Sequence, residues 1–165
     1  MPSSRKVMHY EIEYYLNTTP GVTTPTYNLL NEGITALPKS YNPNMVESHY
    51  IAEEQPRQNL QNFAVSWALD NEVFVGDPVG DYLTELAFKE ATGSDVITEM
   101  IEVHNYFADN TPTSKRAKKR PVSVAIDSTN VTGGEPLSGS TTVASAGDIV
   151  FGTWNPTTKS FTPTP

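Results

Sequence analysis

The chain has no cysteine and only three histidines among its 165 residues. The first absence excludes disulfides and thiolate metal sites, and leaves the redox compartment open. No stretch approaches the roughly eighteen consecutive apolar residues of a membrane helix, so no membrane association is expected. The N-terminal MPSSRKVMHYEIEYY alternates polar and aromatic residues where a secretory signal would place an apolar run, which leads us to expect a chain made in the cytosol. No G-x-S-x-G elbow, H-E-x-x-H pair or G-x-x-x-x-G-K-[ST] loop occurs. His9, His49 and His104 have no second ligand at helical metal spacing. Glu47 and Glu102 each precede a histidine by two residues and could share a strand face with it, a coincidence that 19 acidic residues make commonplace. Asp77 and Asp81 could be imagined as an acid/base pair, but capping and dipole complementation of a helix explain both. The expectation is no enzyme, no cofactor and no metal.

What is present describes a folded domain. A hydrophobic content of 37% with a net charge of −8 is ordinary for a soluble globular chain, and the length suits one domain. Asn59 to Leu69 alternates strictly, with Phe63, Val65, Trp67 and Leu69 on one face and Asn62, Ala64, Ser66 and Ala68 on the other. This predicts a strand whose second face is small and polar. Val96 to Phe107 alternates less cleanly and is also read as a strand. Further strands are predicted around Val122 to Ile126, Leu137 to Ser145 and Ile149 to Trp154, with a last strand or arm beyond Asn155-Pro156, and a short one at Gly33 to Leu37. One segment breaks the β pattern. In GDPVGDYLTELAFKEATG, Asp77 can cap a helix beginning at Pro78, Lys89 and Gly93 mark its end, and Val79, Tyr82, Leu83, Leu86 and Ala87 form one apolar stripe. A helix over about 78–91 flanking an antiparallel β-sandwich or half-barrel is expected, a mainly β (α+β) fold.

Two stretches resist a purely structural explanation. Residues 39–58, KSYNPNMVESHYIAEEQPRQ, form a polar excursion with scattered apolar side chains and no tight hairpin signal, and are read as a long loop. Lys115, Arg116, Lys118, Lys119 and Arg120 place five of the 11 basic residues in six positions of an otherwise acidic chain. Such a run can be a solvated face, a nucleic-acid contact, or a patch that steers one subunit onto the acidic surface of another.

The stretches PTYNLLNEGITALPKSYNPNMVESHYIAEEQ, EVFVGDPVGDYLTELAFKEATGSDVITEMIEV and KRAKKRPVSVAIDSTNVTGGEPLSGSTTVASAGDIVFGTWNPTTKSFTP resemble the major tail protein, or tail tube protein, of long non-contractile-tailed bacteriophages of Gram-positive bacteria. The resemblance runs from about Gly21 to Pro163. It implies a tube domain over 21–154 between an N-terminal arm (1–20) and a C-terminal arm (155–165). It further implies a structural virion protein, assembled in the host cytoplasm, whose copies form six-membered rings stacked into a hollow tail tube. Implied partners are the protein itself, a tape measure protein, a tail terminator and baseplate or initiator proteins, with double-stranded DNA passing through the lumen. On this reading Tyr41, Met45, Glu47, Tyr50, Ile51, Glu53 and Glu54 contact the next ring. The basic cluster lies between subunits, and Asn62, Ala64, Ser66, Ala68, Glu99 and Glu102 face a smooth, negative lumen. The competing expectations are the inner tube of a contractile injection machine and, from another class, a carbohydrate-binding β-sandwich using Trp67, Trp154 or Tyr106 as a sugar platform.

Overall fold

The computed structural model of the protein describes residues 4–165; the first three residues of the expected N-terminal arm lie outside the described residues. In chain order the strands are β1 (Ile12–Asn17), β2 (Tyr27–Leu29), β3 (Ile34–Ala36), β4 (Lys39–Ser40), β5 (Pro43–Ser48), β6 (Arg57–Phe63) and β7 (Ser66–Glu72). Helix α1 (Pro78–Lys89) follows, and then β8 (Ile97–His104), β9 (Lys115–Asn130), β10 (Ser138–Ser145), β11 (Val150–Asn155) and β12 (Ser160–Pro163). All pairings are antiparallel. Ten strands make one sheet along the path β2-β1-β8-β9-β10-β7-β3, with β4 also on β7 and the β11–β12 hairpin on β9; β5 and β6 pair only with each other. The main sheet curls into a half-barrel.

Alternation in the strands fills both sides of this sheet. Leu16, Trp67, Leu69, Met100, Val122, Val124 and Val143 point inward, and α1 closes that core with Val79, Leu83 and Leu86. The helix starts where expected: the Asp77 carboxylate accepts from the Gly80 N–H at 2.6 Å, with Pro78 at the first position. It stops at Lys89, earlier than expected. Glu90 takes a left-handed conformation there, and its N–H donates to the Leu86 and Ala87 carbonyls. On the opposite side of the sheet, Tyr15, Tyr27, Ile101, Val103 and Ala117 enclose Trp154. The Tyr15 ring lies 4.6 Å and the Tyr27 ring 5.9 Å from the Trp154 ring, centroid to centroid. Gly152 is required beside this cluster, because a Cβ there would overlap the Thr162 carbonyl and the Phe161 ring.

Two boundaries move. β1 lies between β2 and β8 with Leu16 fully buried, so residues 12–17 belong to the body instead of an arm. At the other end, Ser160–Pro163 pairs with Gly152–Asn155 and is part of the sheet.

Candidate assembly interface

The stretch read as a long loop is a hairpin. β5 and β6 pair from Pro43↔Phe63 to Ser48↔Arg57, with a register shift between Asn44 and Met45. They continue the ribbon that β4 and β7 begin at Lys39↔Trp67 and Ser40↔Ser66. The ribbon bends out of the sheet at Asn42, which adopts φ +43°, a left-handed conformation that asparagine tolerates better than most residues. The Asn42 side-chain amide donates to the Ala64 carbonyl at 2.9 Å, and the Ala64 N–H donates to the Asn42 carbonyl at 3.1 Å. No Asn-Gly or Asp-Gly turn was available to signal this hairpin, because the eight residues between its strands close by other means. The Glu53 N–H donates to the Tyr50 carbonyl, and Arg57 pairs with Glu53 while lying 5.5 Å from the Tyr50 ring.

Beyond the bend the hairpin touches little of its own body. Every residue of β6 is exposed. Tyr41, Met45, Tyr50, Leu60 and Phe63 are about half exposed, and Ile51 is wholly so. Glu54 is exposed at the tip, while Glu47 faces the His49 imidazole at 2.7 Å. Isolated two-stranded hairpins are marginal in water, so this one lacks the support that strands normally draw from a core. Phe63, placed by alternation on the same face as Trp67, is outside because the chain bends between β6 and β7.

The basic cluster is not one patch. It opens β9, where alternation sends Arg116, Lys118 and Arg120 to one side and Lys115 and Lys119 to the other. Four of the five have partners within the chain. Arg116 pairs with Asp109 at 2.6 Å, Lys118 with Glu102 at 3.3 Å and Lys119 with Glu99 at 3.0 Å. Arg120 is buried over the Trp67 ring, its guanidinium 5.2 Å from the centroid.

Glu102 is likewise not a surface carboxylate. It is 4% exposed, and both its oxygens accept from Lys39 Nζ, at 3.0 and 2.8 Å. His104 Nε2 lies 3.0 Å away. Burial alone would raise its pKa, but hydrogen bonds from His104 and Lys39 and the charges of Lys118 and Lys39 outweigh it and hold the carboxyl down at about 2. The Glu102 and His104 pair thus shares a strand face, but two ammonium groups occupy the carboxylate and leave no place for a cation. Among the described residues, no group of three or more potential ligands is placed to hold a metal. Glu99 is half-buried, hydrogen-bonded by Tyr27 at 2.6 Å and paired with Lys119.

The small-residue face survives in part. Asn62 and Ala64 belong to the hairpin and the bend, whereas Ser66 and Ala68 stay in the main sheet. There the register sets Ala68 beside Thr142 and Ala125, and Ser66 beside Ala144 and Ser123. These rows form an open side without bulky side chains. At the far end of β7 from the hairpin, sequence patterning gave no notice of a second exposed apolar group, Phe74, Val75 and Phe88. Phe88 borders a groove of about 300 Å³ with Val73, Leu83, Ile126 and Leu137.

No protein-family model matches the chain, and no curated protein does. Among solved structures the chain is similar to a subunit in the tail of an empty gene transfer agent particle refined with C6 symmetry, at TM-score 0.62 and 14% identity over 88% of this chain and 98% of that one. A chain of the native gene transfer agent virion matches at 0.61 with the same identity and coverage. A chain in the sheath/tube terminator structure of an extracellular contractile injection system matches at 0.51 and 10% identity, over 90% and 97%. At these identities the likeness is one of fold. The half-barrel with one helix is a fold this chain shares with chains of the gene transfer agent particle and the contractile injection system structure.

Proposed function

We propose that this protein is a structural tail tube subunit, with no catalytic role, whose copies close into six-membered rings that stack into a hollow virion tail tube. The observation that carries this reading is the β5–β6 hairpin, exposed along all of β6 and projecting from a body whose core is already closed. Tyr41, Met45, Tyr50 and Ile51 gain cover when the hairpin lies against the next ring, with Glu47, Glu53 and Glu54 as polar contacts. Stacking requires unlike surfaces at opposite ends. Hairpin and Phe88 groove lie at opposite ends of β7, an arrangement consistent with that requirement.

The small rows of Ser66, Ala68, Ala125 and Thr142 suit a lumen through which a tape measure protein and then double-stranded DNA pass. Glu102, enclosed by Lys39, is withdrawn from the lumen set. Intersubunit pairing of the basic strand is confined to groups with exposed surface, Arg116 foremost. The tail terminator and baseplate or initiator proteins would meet the two ends of the tube. A non-contractile tail of a phage of Gram-positive bacteria follows from the sequence resemblance. An injection-machine tube is the second reading, supported by the fold likeness to the contractile system. A sugar platform on Trp67 or Trp154 has no support, since both are fully buried, and Tyr106 is partly buried against the His104 and Phe107 rings.

Negative-stain microscopy of the purified chain over a concentration series tests the proposal. Rings or tubes with a central hole are expected, and featureless monomers at every concentration would overturn it. Ala125→Lys should leave tubes intact while impeding DNA delivery; unimpaired delivery would remove Ala125 from the lumen.

A further inference from the structure

We propose that Glu102 is a positioning residue: by holding Lys39 at the root of the β5–β6 hairpin, it fixes the angle at which the hairpin leaves the body. The root itself is thin. β4 has only two residues paired with β7, Lys39↔Trp67 and Ser40↔Ser66, before the chain turns at Asn42. Across the bend the ribbon is held by the Asn42–Ala64 hydrogen bonds and by the Asn42 amide on Ser66 Oγ at 3.3 Å, all contacts between its own two sides, whereas Lys39 ties the root to a different strand, β8.

The restraint runs from the barrel floor to both hairpin strands. Lys39 Nζ binds both oxygens of Glu102 and sits 4.8 Å from the centre of the Tyr41 ring and 5.5 Å from that of Trp67. Tyr41, in the bend between β4 and β5, meets Phe63, at the end of β6, edge to face at 5.9 Å. One buried carboxylate is thereby linked, through a single ammonium group and two rings, to each side of the bend.

The charges around Glu102 make this link directional. Lys39 approaches from β4, Lys118 and Arg120 from β9, His104 from β8 itself, and the Tyr14 phenol from β1. With Glu102 neutral, Lys39 and Lys118 are left facing each other without a counter-ion. Lys118 is held in a sixteen-residue strand paired on both edges, whereas Lys39 is on a two-residue strand. Repulsion therefore expels Lys39, and the hairpin root goes with it.

The absence of native cysteine permits a direct test. Nitroxide labels at Ala52→Cys, on the hairpin tip, and Thr158→Cys, on the β11–β12 turn, report the hairpin angle as a distance distribution by pulsed electron spin resonance. The otherwise unaltered chain should give one narrow distribution. Glu102→Gln and Lys39→Met should each broaden it, and Lys118→Met should not, because without Lys118 both Glu102 oxygens still hold Lys39. Narrow distributions in both Glu102→Gln and Lys39→Met would overturn the proposal. If Glu102→Gln does not fold, Lys39→Met decides alone, since Glu102 there keeps Lys118 and His104. A purely structural role for Glu102 would lower the unfolding temperature without changing the distribution. The measurement uses the unassembled chain, so it stands whether or not the hairpin serves in stacking. Tube formation by the same variants reports separately on the proposed function.

Discussion

The half-barrel body and the β5–β6 hairpin are built from the same alternating β pattern and reach opposite outcomes. In the body one face of the sheet is covered by α1 and the curled strands and the other in part by the Trp154 cluster, with the Ser66 and Ala68 rows left open. In the hairpin, Met45 sits opposite Leu60 and Tyr41 against Phe63, and all four side chains stay about half exposed. Burial, more than strand propensity, separates a region supported by its own chain from one that is not. Stability should accordingly reside in the body and assembly in the hairpin, and substitutions can be chosen to separate the two.

The largest loss of stability is expected inside the barrel. Trp67→Ala removes a fully buried indole and should cost ~3–5 kcal/mol, read from chemical denaturation of the monomer. A loss as small as a surface change would mean that the barrel interior does not carry the fold.

Acid should act next, through Glu102. Its folded pKa is depressed to about 2, so its stabilisation is fully present above the usual carboxylate value and is lost as pH falls through about 4.5 to 2. The loss amounts to ~3 kcal/mol by linkage. Glu102→Gln should flatten this part of the pH–stability profile; a profile of unchanged slope would contradict the assignment.

A smaller effect belongs to the helix cap. Asp77→Ala removes the acceptor for the Gly80 N–H and should cost ~1 kcal/mol in the same denaturation measurement.

The smallest effect on stability is expected where the effect on assembly is greatest. Ile51→Ser should change monomer stability by no more than ~0.5 kcal/mol, as surface changes do, yet suppress tube formation seen by microscopy. A large loss of monomer stability would show that the hairpin is supported by its own body.

Much of the body was legible because its strands obey simple periodicity. Trp67 and Leu69 proved to be core, and Asp77-Pro78 announced the start of the helix. Three features were not legible, each because it depends on residues distant in the chain. Asn59 to Leu69 alternates without a break, so nothing local marks the bend that puts Phe63 outside and Trp67 inside. The basic run appeared as one patch because a linear count ignores the pleat, and Glu99, Glu102 and Asp109, which neutralise three of its members, lie on other segments. Glu102 was expected in a lumen because neither the Lys39–Glu102 contact nor the curl that creates it leaves a trace in local sequence. Hairpin residues were picked out by the opposite logic: Tyr41, Met45, Tyr50 and Ile51 are apolar side chains in a polar stretch, and all four are exposed, while their contacts with a second copy belong to the proposal.

The most direct measurement is amide hydrogen exchange on the chain before and after it is concentrated, comparing β6 with β7. Expected is fast exchange across Arg57–Phe63 in the dilute chain and strong protection there on assembly, with Ser66–Glu72 protected throughout. Protection of Arg57–Phe63 already present in the dilute chain, or none gained on assembly, would contradict the claim that further copies of this chain complete the burial of its hairpin.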